Sequence, residues 1–219
     1  MKSMLLIGLG DFGHHLCRHL VEMKNEVLIM DKNEDALEDL AEIASGRLIA
    51  DCCSKSALQQ VGVQNFDMCF VCIGSDFKSN LIIVSTLKEL GARYVVTETD
   101  DEMLEKLLLH NGADEIIHPN KDSAMRAAVK YSSEHIYDYV RLKAGYSIYE
   151  ITPLREWIGK SILSSRIRER YNTYIIGIVS EKDHTDIIPS PQTVIQASDR
   201  LMVLAHEDTM KTLLKRMEP

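Results

Sequence analysis

The sequence has no apolar run approaching the ~20 residues that a membrane-crossing helix needs. Its first apolar stretch, Met4 to Leu9, is short and runs into Gly8, Gly10 and Asp11, so no secretory signal is expected. Lys and Arg form no tail or stripe. Neutralising a phosphate backbone needs them clustered, so no nucleic-acid partner is expected. Aromatic residues are few, at 6%, which leaves Leu, Ile, Val, Ala and Met to fill the interior. Internal repeats and low-complexity segments are absent. The five cysteines (Cys17, Cys52, Cys53, Cys69, Cys72) are an odd number, which predicts free thiols and a reducing cytoplasm.

What is present is an ordinary globular composition: 219 residues, 45% hydrophobic and 26% charged. That length holds one large domain or two small ones. The net charge of −8 lies in residues 1–133, with 13 Lys+Arg against 21 Asp+Glu, whereas residues 134–219 carry 12 of each.

Up to residue 117, short apolar runs alternate with amphipathic stretches. Strands are predicted at 3–7, 26–30, 47–50, 67–73, 93–97 and 114–117. Helices are predicted at 11–24, 33–44, 54–61, 75–90 and 100–110, with Ser, Asp or Asn before them and Gly or Asn after them. Strands that are apolar on both faces and alternate with helices predict an α/β fold with a doubly wound, Rossmann-like parallel sheet. A helix is predicted at 121–133, and then the pattern changes. Strands at 146–151, 174–179 and 201–205, with helices at 162–170 and 207–215, predict a second, smaller α+β C-terminal lobe. The expected division is residues 1–134 and 135–219.

Gly8-Leu9-Gly10-Asp11-Phe12-Gly13 directly follows an apolar strand and opens a helix. Glycines at this spacing allow a tight turn, close approach of a phosphate and close helix–strand packing, while the helix N-terminus offers N–H groups to an anion. Asp31 follows the second strand, where a carboxylate accepts bonds from a ribose diol and disfavours a 2′-phosphate; Lys32 stands beside it. Asp51-Cys52 after the third strand and Gly74-Ser75-Asp76 after the fourth are expected at the same crevice. Asp51 also reads as a helix cap. Cys69 and Cys72 have CxxC spacing but lie in a strand, where residues three apart face opposite ways, so they read as core thiols. His15 and His19 share a helix face without further ligands at metal-binding spacing, and Asp100-Asp101-Glu102 fits a helix dipole. No catalytic or metal residue is assigned.

IGLGDFG, LIMDKN, IAD, CIG and above all GADEIIHPNKDSA (residues 112–124) resemble the regulator-of-potassium-conductance domain, of the Ktr/Trk-type cytosolic regulatory subunits of potassium uptake systems. Gly159-Lys160-Ser161-Ile162, Ile175-Ile176-Gly177-Ile178, Ile188-Pro189-Ser190-Pro191 and Asp199-Arg200-Leu201-Met202-Val203 are similar to the small lobe that follows it. The resemblance implies a non-enzymatic subunit that forms homodimers and then a ring beneath an integral-membrane potassium channel or transporter. It implies an adenine nucleotide or NAD in the crevice, whose exchange changes the ring. Gly8, Gly10, Asp11, Phe12 and Gly13 would meet the phosphates and Asp31 the ribose. Asp51 and Cys52 would lie by the adenine, flanked by Ile73 and Gly74.

Three positions depart from the Ktr-type pattern. Asp11 stands where Arg is frequent, Glu98 where Lys is frequent, and Asn120 where Glu is frequent. The first two replace positive charge near the phosphates by negative charge, so NAD, ADP or AMP is expected over ATP without metal. In some relatives a cyclic dinucleotide, cyclic di-AMP, binds the C-lobe. Here Arg168 and Arg170 would meet its phosphates, and Ile176, Pro189 and Pro191 would form an apolar floor; a plain dimer interface is the alternative. An NAD-dependent oxidoreductase is the competing function. His135, His184 and His206 in the second unit form no evident acid–base constellation for it.

Overall fold

The computed structural model describes residues 1–74, 76–180 and 185–217. The chain divides into two compact units, Met1–Lys121 and Asp122–Pro219. The division falls inside the helix at 119–131, whereas the sequence pattern puts it after that helix.

In the first unit the elements run β1 (Ser3–Ile7), α1 (Asp11–Glu22), β2 (Glu26–Asp31), α2 (Glu34–Glu38), β3 (Gly46–Ile49), α3 (Lys55–Val61), β4 (Met68–Val71), α4 (Phe77–Glu89), β5 (Val95–Glu98), α5 (Glu102–His110) and β6 (Glu115–Ile117); α6 (Pro119–Tyr131) runs across the division. The six strands pair in the order β3-β2-β1-β4-β5-β6, every pairing parallel. This is the doubly wound order that the alternating pattern predicts.

Alternation along the strands separates two cores. Leu5, Ile7, Cys69 and Val71 pack with Leu58 of α3, Ile83 and Leu87 of α4, and Leu108 of α5. Met4, Leu6, Val27 and Ile29 pack with Cys17 of α1 and Leu37 of α2. Each fully buried aliphatic side chain contributes about 1.5–3 kcal/mol. Cys69 and Cys72 belong to opposite cores, and burial pushes the Cys69 thiol up to about 12. Both are free core thiols.

The helix predicted at 33–44 is shorter. Asn33 caps α2, and after Glu38 the chain turns through i→i+3 bonds from Leu40 to Leu37 and from Ile43 to Leu40. Those turns still bury Leu37 and Leu40.

The second unit contains β7 (Ile136–Arg141), β8 (Tyr146–Ile151), α7 (Ile162–Ser165), α8 (Ile167–Tyr171), β9 (Tyr174–Ser180), β10 (Thr185–Ile187), β11 (Asp199–His206) and α9 (Glu207–Met217). Its sheet is antiparallel in the order β10-β9-β11-β8-β7. One face buries Tyr139, Tyr149, Ile151, Leu201 and Val203 against Trp157, Tyr171, Met210 and Leu213. Val140, Tyr146 and Met202, on the other face, are exposed.

Three features depart from the sequence pattern. β10 lies where no strand is predicted. β7 escapes the pattern because a register shift between Ile136 and Asp138 puts Ile136 and Tyr139 both inward and breaks the period of two. The helix predicted at 162–170 is broken at Arg166, whose φ is 47°. The Ile162 and Leu163 amides bond to the Thr193 and Pro191 carbonyls, and beyond the break Ile167 and Tyr171 turn together onto the core.

Candidate functional site: a crevice at the carboxyl ends of the parallel strands

A crevice of about 710 Å³ opens where the strand order reverses between β1 and β4. Ligands of doubly wound sheets bind at such a point, and the volume suits a small-molecule ligand.

The three glycines of the first turn have different reasons to be glycine. Gly8 has φ +86°, and a Cβ on it would lie 2.5 Å from the Ile73 side chain and 2.7 Å from the Cys72 carbonyl. A Cβ on Gly13 would lie 2.4 Å from the Gly8 carbonyl. Those two are required by the packing of α1 on β1 and β4. Gly10 has φ −64° and ψ −179°, which any residue adopts, and the nearest atom to a Cβ there would be 3.9 Å away. Asn33, Ser54, Asp76 and Asp101 cap α2, α3, α4 and α5 through their side chains; α1 has no side-chain cap. The first N–H groups of α1 lack helical acceptors by construction, so this turn presents donors and the positive end of the dipole to the crevice.

Six carboxylates line the crevice: Asp11, Asp31, Asp51, Asp76, Glu98 and Asp100. Lys32 is the cation among the described lining residues. Most of the carboxylates accept backbone amides of loops or first helical turns. Asp31 accepts the Leu9 N–H on Oδ2 at 2.7 Å and the Asn33 N–H on Oδ1 at 2.9 Å, joining the glycine turn to the end of β2. A carboxylate has about four acceptor positions, so Asp31 keeps capacity for ribose hydroxyls. Asp51 accepts the Cys53 N–H at 3.0 Å, a turn two residues long ahead of α3; the helix itself is capped by Ser54, so Asp51 is not its cap. Asp76 accepts from the Ser79 hydroxyl and N–H, which hold its carboxyl below the usual range. Burial pushes Asp100 up, but bonds from the Lys121 N–H at 2.9 Å and from Asn120 at 2.7 Å outweigh it and hold Asp100 low. Glu98 accepts the Gly74 N–H at 2.9 Å, and burial pushes its carboxyl up.

A buried polar set fixes the floor. The Thr97 hydroxyl lies 2.6 Å from Asn80 Oδ1 and 3.0 Å from the Val71 carbonyl, and Asn80 Nδ2 donates to the Glu98 carbonyl at 3.1 Å. Thr97 and Asn80 are both buried, so β4, α4 and β5 are tied together beneath the site.

Of the residues singled out from the sequence, Gly8, Gly10, Asp11 and Phe12 line the crevice on the first turn. Asp31 and Lys32, Asp51 and Cys52, Ile73 and Gly74, and Glu98 line it at the other strand ends. Gly13 does not line it; its role is helix packing. Ser75 lies outside the described residues. Burial, with the Asp31 charge, pushes the Cys52 thiol up to about 12, so Cys52 is a wall and not a nucleophile. Leu9, Cys53, Cys72, Ser79 and Thr99 also line the crevice, without having been singled out for it. Thr99 and Cys53 immediately follow residues that were singled out at strand ends, which is the signal that would have found them.

In the C-lobe, Arg168 lies 4.9 Å over the Tyr174 ring and Arg170 5.2 Å over the Tyr171 ring. Ile176 is exposed. His135 Nδ1 lies 3.1 Å from the Thr152 hydroxyl, His206 packs on Tyr146, and His184 is outside the described residues.

A family model described as the TrkA-N domain matches residues 4–119, and one described as the TrkA-C domain matches residues 146–218. The chain is 34% identical over 218 residues to Ktr system potassium uptake protein C of Bacillus subtilis, covering 99% of this chain and 97% of that one. The chain belongs to the Ktr/TrkA family. Ktr system potassium uptake protein A of the same organism is 33% identical to this Ktr/TrkA chain over 212 residues, covering 96% and 94%. A GsuK RCK domain superposes with a TM-score of 0.69 at 16% identity, covering all of this chain and 48% of that one. A GsuK channel bound to NAD superposes with a TM-score of 0.67 at 17% identity, covering 99% of this chain and 39% of that one. These superpositions show the fold; the chain spans less than half the length of those proteins. No helix among the described residues is long and apolar enough to cross a membrane.

Proposed function

We propose that this protein is a nucleotide-sensing regulatory subunit of a membrane potassium transport system. An adenine nucleotide lies in the crevice, with its phosphates on the Gly8–Phe12 turn and its ribose on Asp31. The adenine lies beside Asp51 and Cys52 with Ile73 flanking it, and the phosphate side of the ligand faces Gly74. The observation that carries this reading is Gly10: a Cβ there would meet nothing closer than the Cys72 carbonyl at 3.9 Å, so packing does not require the glycine, and α1 behind it is without a side-chain cap. A glycine without an internal reason, before uncapped N–H groups, suits close approach of a phosphate. Its Ktr potassium uptake relatives, and GsuK of the same fold bound to NAD and to ADP, support the class of ligand and partner.

The role is regulatory and not catalytic. Five of the six crevice carboxylates accept backbone amides, an arrangement that shapes a binding site and does not present an acid–base pair to a substrate. The subunit acts at the cytoplasmic face of the membrane as a homodimer or larger ring, held there by its membrane partner, and nucleotide exchange changes the ring.

Calorimetric titration of NAD, ADP and AMP into wild type and Gly10→Val tests the site. Binding to wild type and its loss in a folded variant are expected; equal affinity in both rejects the site. Light scattering is expected to find an assembly larger than the 24.8 kDa chain. A monomer with and without nucleotide rejects the ring.

A further inference from the structure

Glu98 ends β5 and reaches across to the loop after β4, where its Oε1 accepts the Gly74 N–H at 2.9 Å. A Cβ on Gly74 would lie 2.9 Å from the same oxygen, so the carboxylate rests directly on the glycine. Its backbone is fixed by Asn80 and Thr97 beneath the site. The placement is unfavourable for a charge. Burial pushes Glu98 up, the Gly74 N–H offsets part of that, and Asp100 adds to it. The Cys72 thiol, itself pushed up mainly by burial, is pushed further by Glu98. Asp11, Asp76 and Asp100 line the same crevice, with Lys32 as the cation among its described lining residues.

Ligand phosphates bind backbone N–H groups that open on such a crevice, at helix N-termini and in loop nests above all. Here one of them is already occupied by an anion of the protein. We propose that Glu98 is a tethered competitor for ligand phosphate at the Gly74 amide, and thereby a specificity-determining residue of the crevice. Phosphates that reach Gly74 must displace the carboxylate, or lie against its charge; a ligand that stops at the Gly8–Phe12 turn need not. Discrimination therefore rises along the series adenosine, AMP, ADP, ATP. This rests on the adenine-nucleotide reading of the crevice.

The test is titration of the full chain with these four ligands in the presence of a chelator. Wild type, Glu98→Gln and Glu98→Ala are compared. Gln is isosteric, removes the charge and still accepts the Gly74 N–H, whereas Ala frees the amide. Both keep the main-chain carbonyl that Asn80 holds, and thermal unfolding checks that each folds. Adenosine affinity is expected to stay within about twofold, while ATP affinity rises about fivefold in Glu98→Gln and more in Glu98→Ala, as expected for like charges separated in a cleft of intermediate dielectric. An ATP-to-adenosine affinity ratio unchanged in both variants overturns the role of Glu98 and leaves the nucleotide site standing. Failure of all four ligands to bind wild type overturns both.

Discussion

In the first unit Gly10 stands before α1 with no atom within 3.9 Å of a would-be Cβ, whereas in the second unit Gly145 would put a Cβ 2.6 Å from His206 and Gly177 would put one 3.1 Å from Met202. The acids differ in the same way. Asp138 in the second unit takes a bidentate pair from Arg126, at 2.9 and 2.7 Å, and Glu156 accepts the Tyr171 hydroxyl. Asp31 and Glu98 in the first unit instead hold loop amides around an opening. Gly159 in the second unit has nothing within 4 Å of a would-be Cβ, but its φ of +78° itself calls for glycine, whereas Gly10 lies at a φ of −64° that any residue adopts. The first unit thus leaves donors, carboxylates and a glycine that neither packing nor backbone conformation requires, which is the mark of a site built for something else.

The largest effect that tests this contrast is Trp157→Ala. Trp157 is almost completely buried and packs edge-on to Tyr171, so its loss is expected to cost about 3–5 kcal/mol. Hydrogen exchange should rise across β7–β11 and stay low in β1, β2 and β4; a uniform rise would show that the two units do not stabilise themselves separately. Next comes Gly13→Ala, which drives a methyl into the Gly8 carbonyl and is expected to cost about 1–3 kcal/mol. Gly10→Val should leave the melting temperature within a few degrees of wild type and reduce nucleotide affinity by about thirtyfold or more, roughly 2 kcal/mol. If Gly10→Val unfolds like Gly13→Ala, Gly10 has an internal role after all. Asp31→Ala sharpens the point less cleanly, because it also releases the Leu9 and Asn33 amides.

Two smaller effects depend on pH with opposite sign. Glu98 is raised in the folded state, so its contribution is fully present below the ordinary Glu range and is lost as pH rises through its folded value. Glu98→Gln should therefore stabilise the protein at pH 7 relative to wild type and change it little at pH 4, measured by denaturant titration. Asp138 is lowered, chiefly by its bond from Arg126, so its contribution is present above the ordinary Asp range and is lost on acidification. Because that pair is substantially exposed, Arg126→Ala should lower stability only slightly at neutral pH, and less as pH falls. A Glu98→Gln variant that is less stable than wild type at pH 7 would mean that the Gly74 bond outweighs the burial of charge.

The first unit was more legible than the second because its signals are local. β1, the helix start at Asp11 and Asp31 at the end of β2 follow from short-range pattern alone. In the second unit the shift at Ile136–Asp138 and the left-handed Arg166 disrupt the periods that a pattern reading relies on. The site was legible as a set of strand-end residues. The actual partner of each was not, and Gly13, which has the same spacing logic as Gly10, turned out to be packing.

What the sequence by itself determined is the strands and helices of the first unit, the doubly wound class of its sheet and the glycine turn. Each depends on hydrophobic period, capping residues and steric freedom within a few residues. Only the tertiary structure decided that Asp31 joins Leu9 across 22 residues and Glu98 joins Gly74 across 24. It also decided that Gly10 alone of its turn faces open space. Those facts depend on which strands lie side by side and how closely their ends approach, and no local spacing encodes that distance.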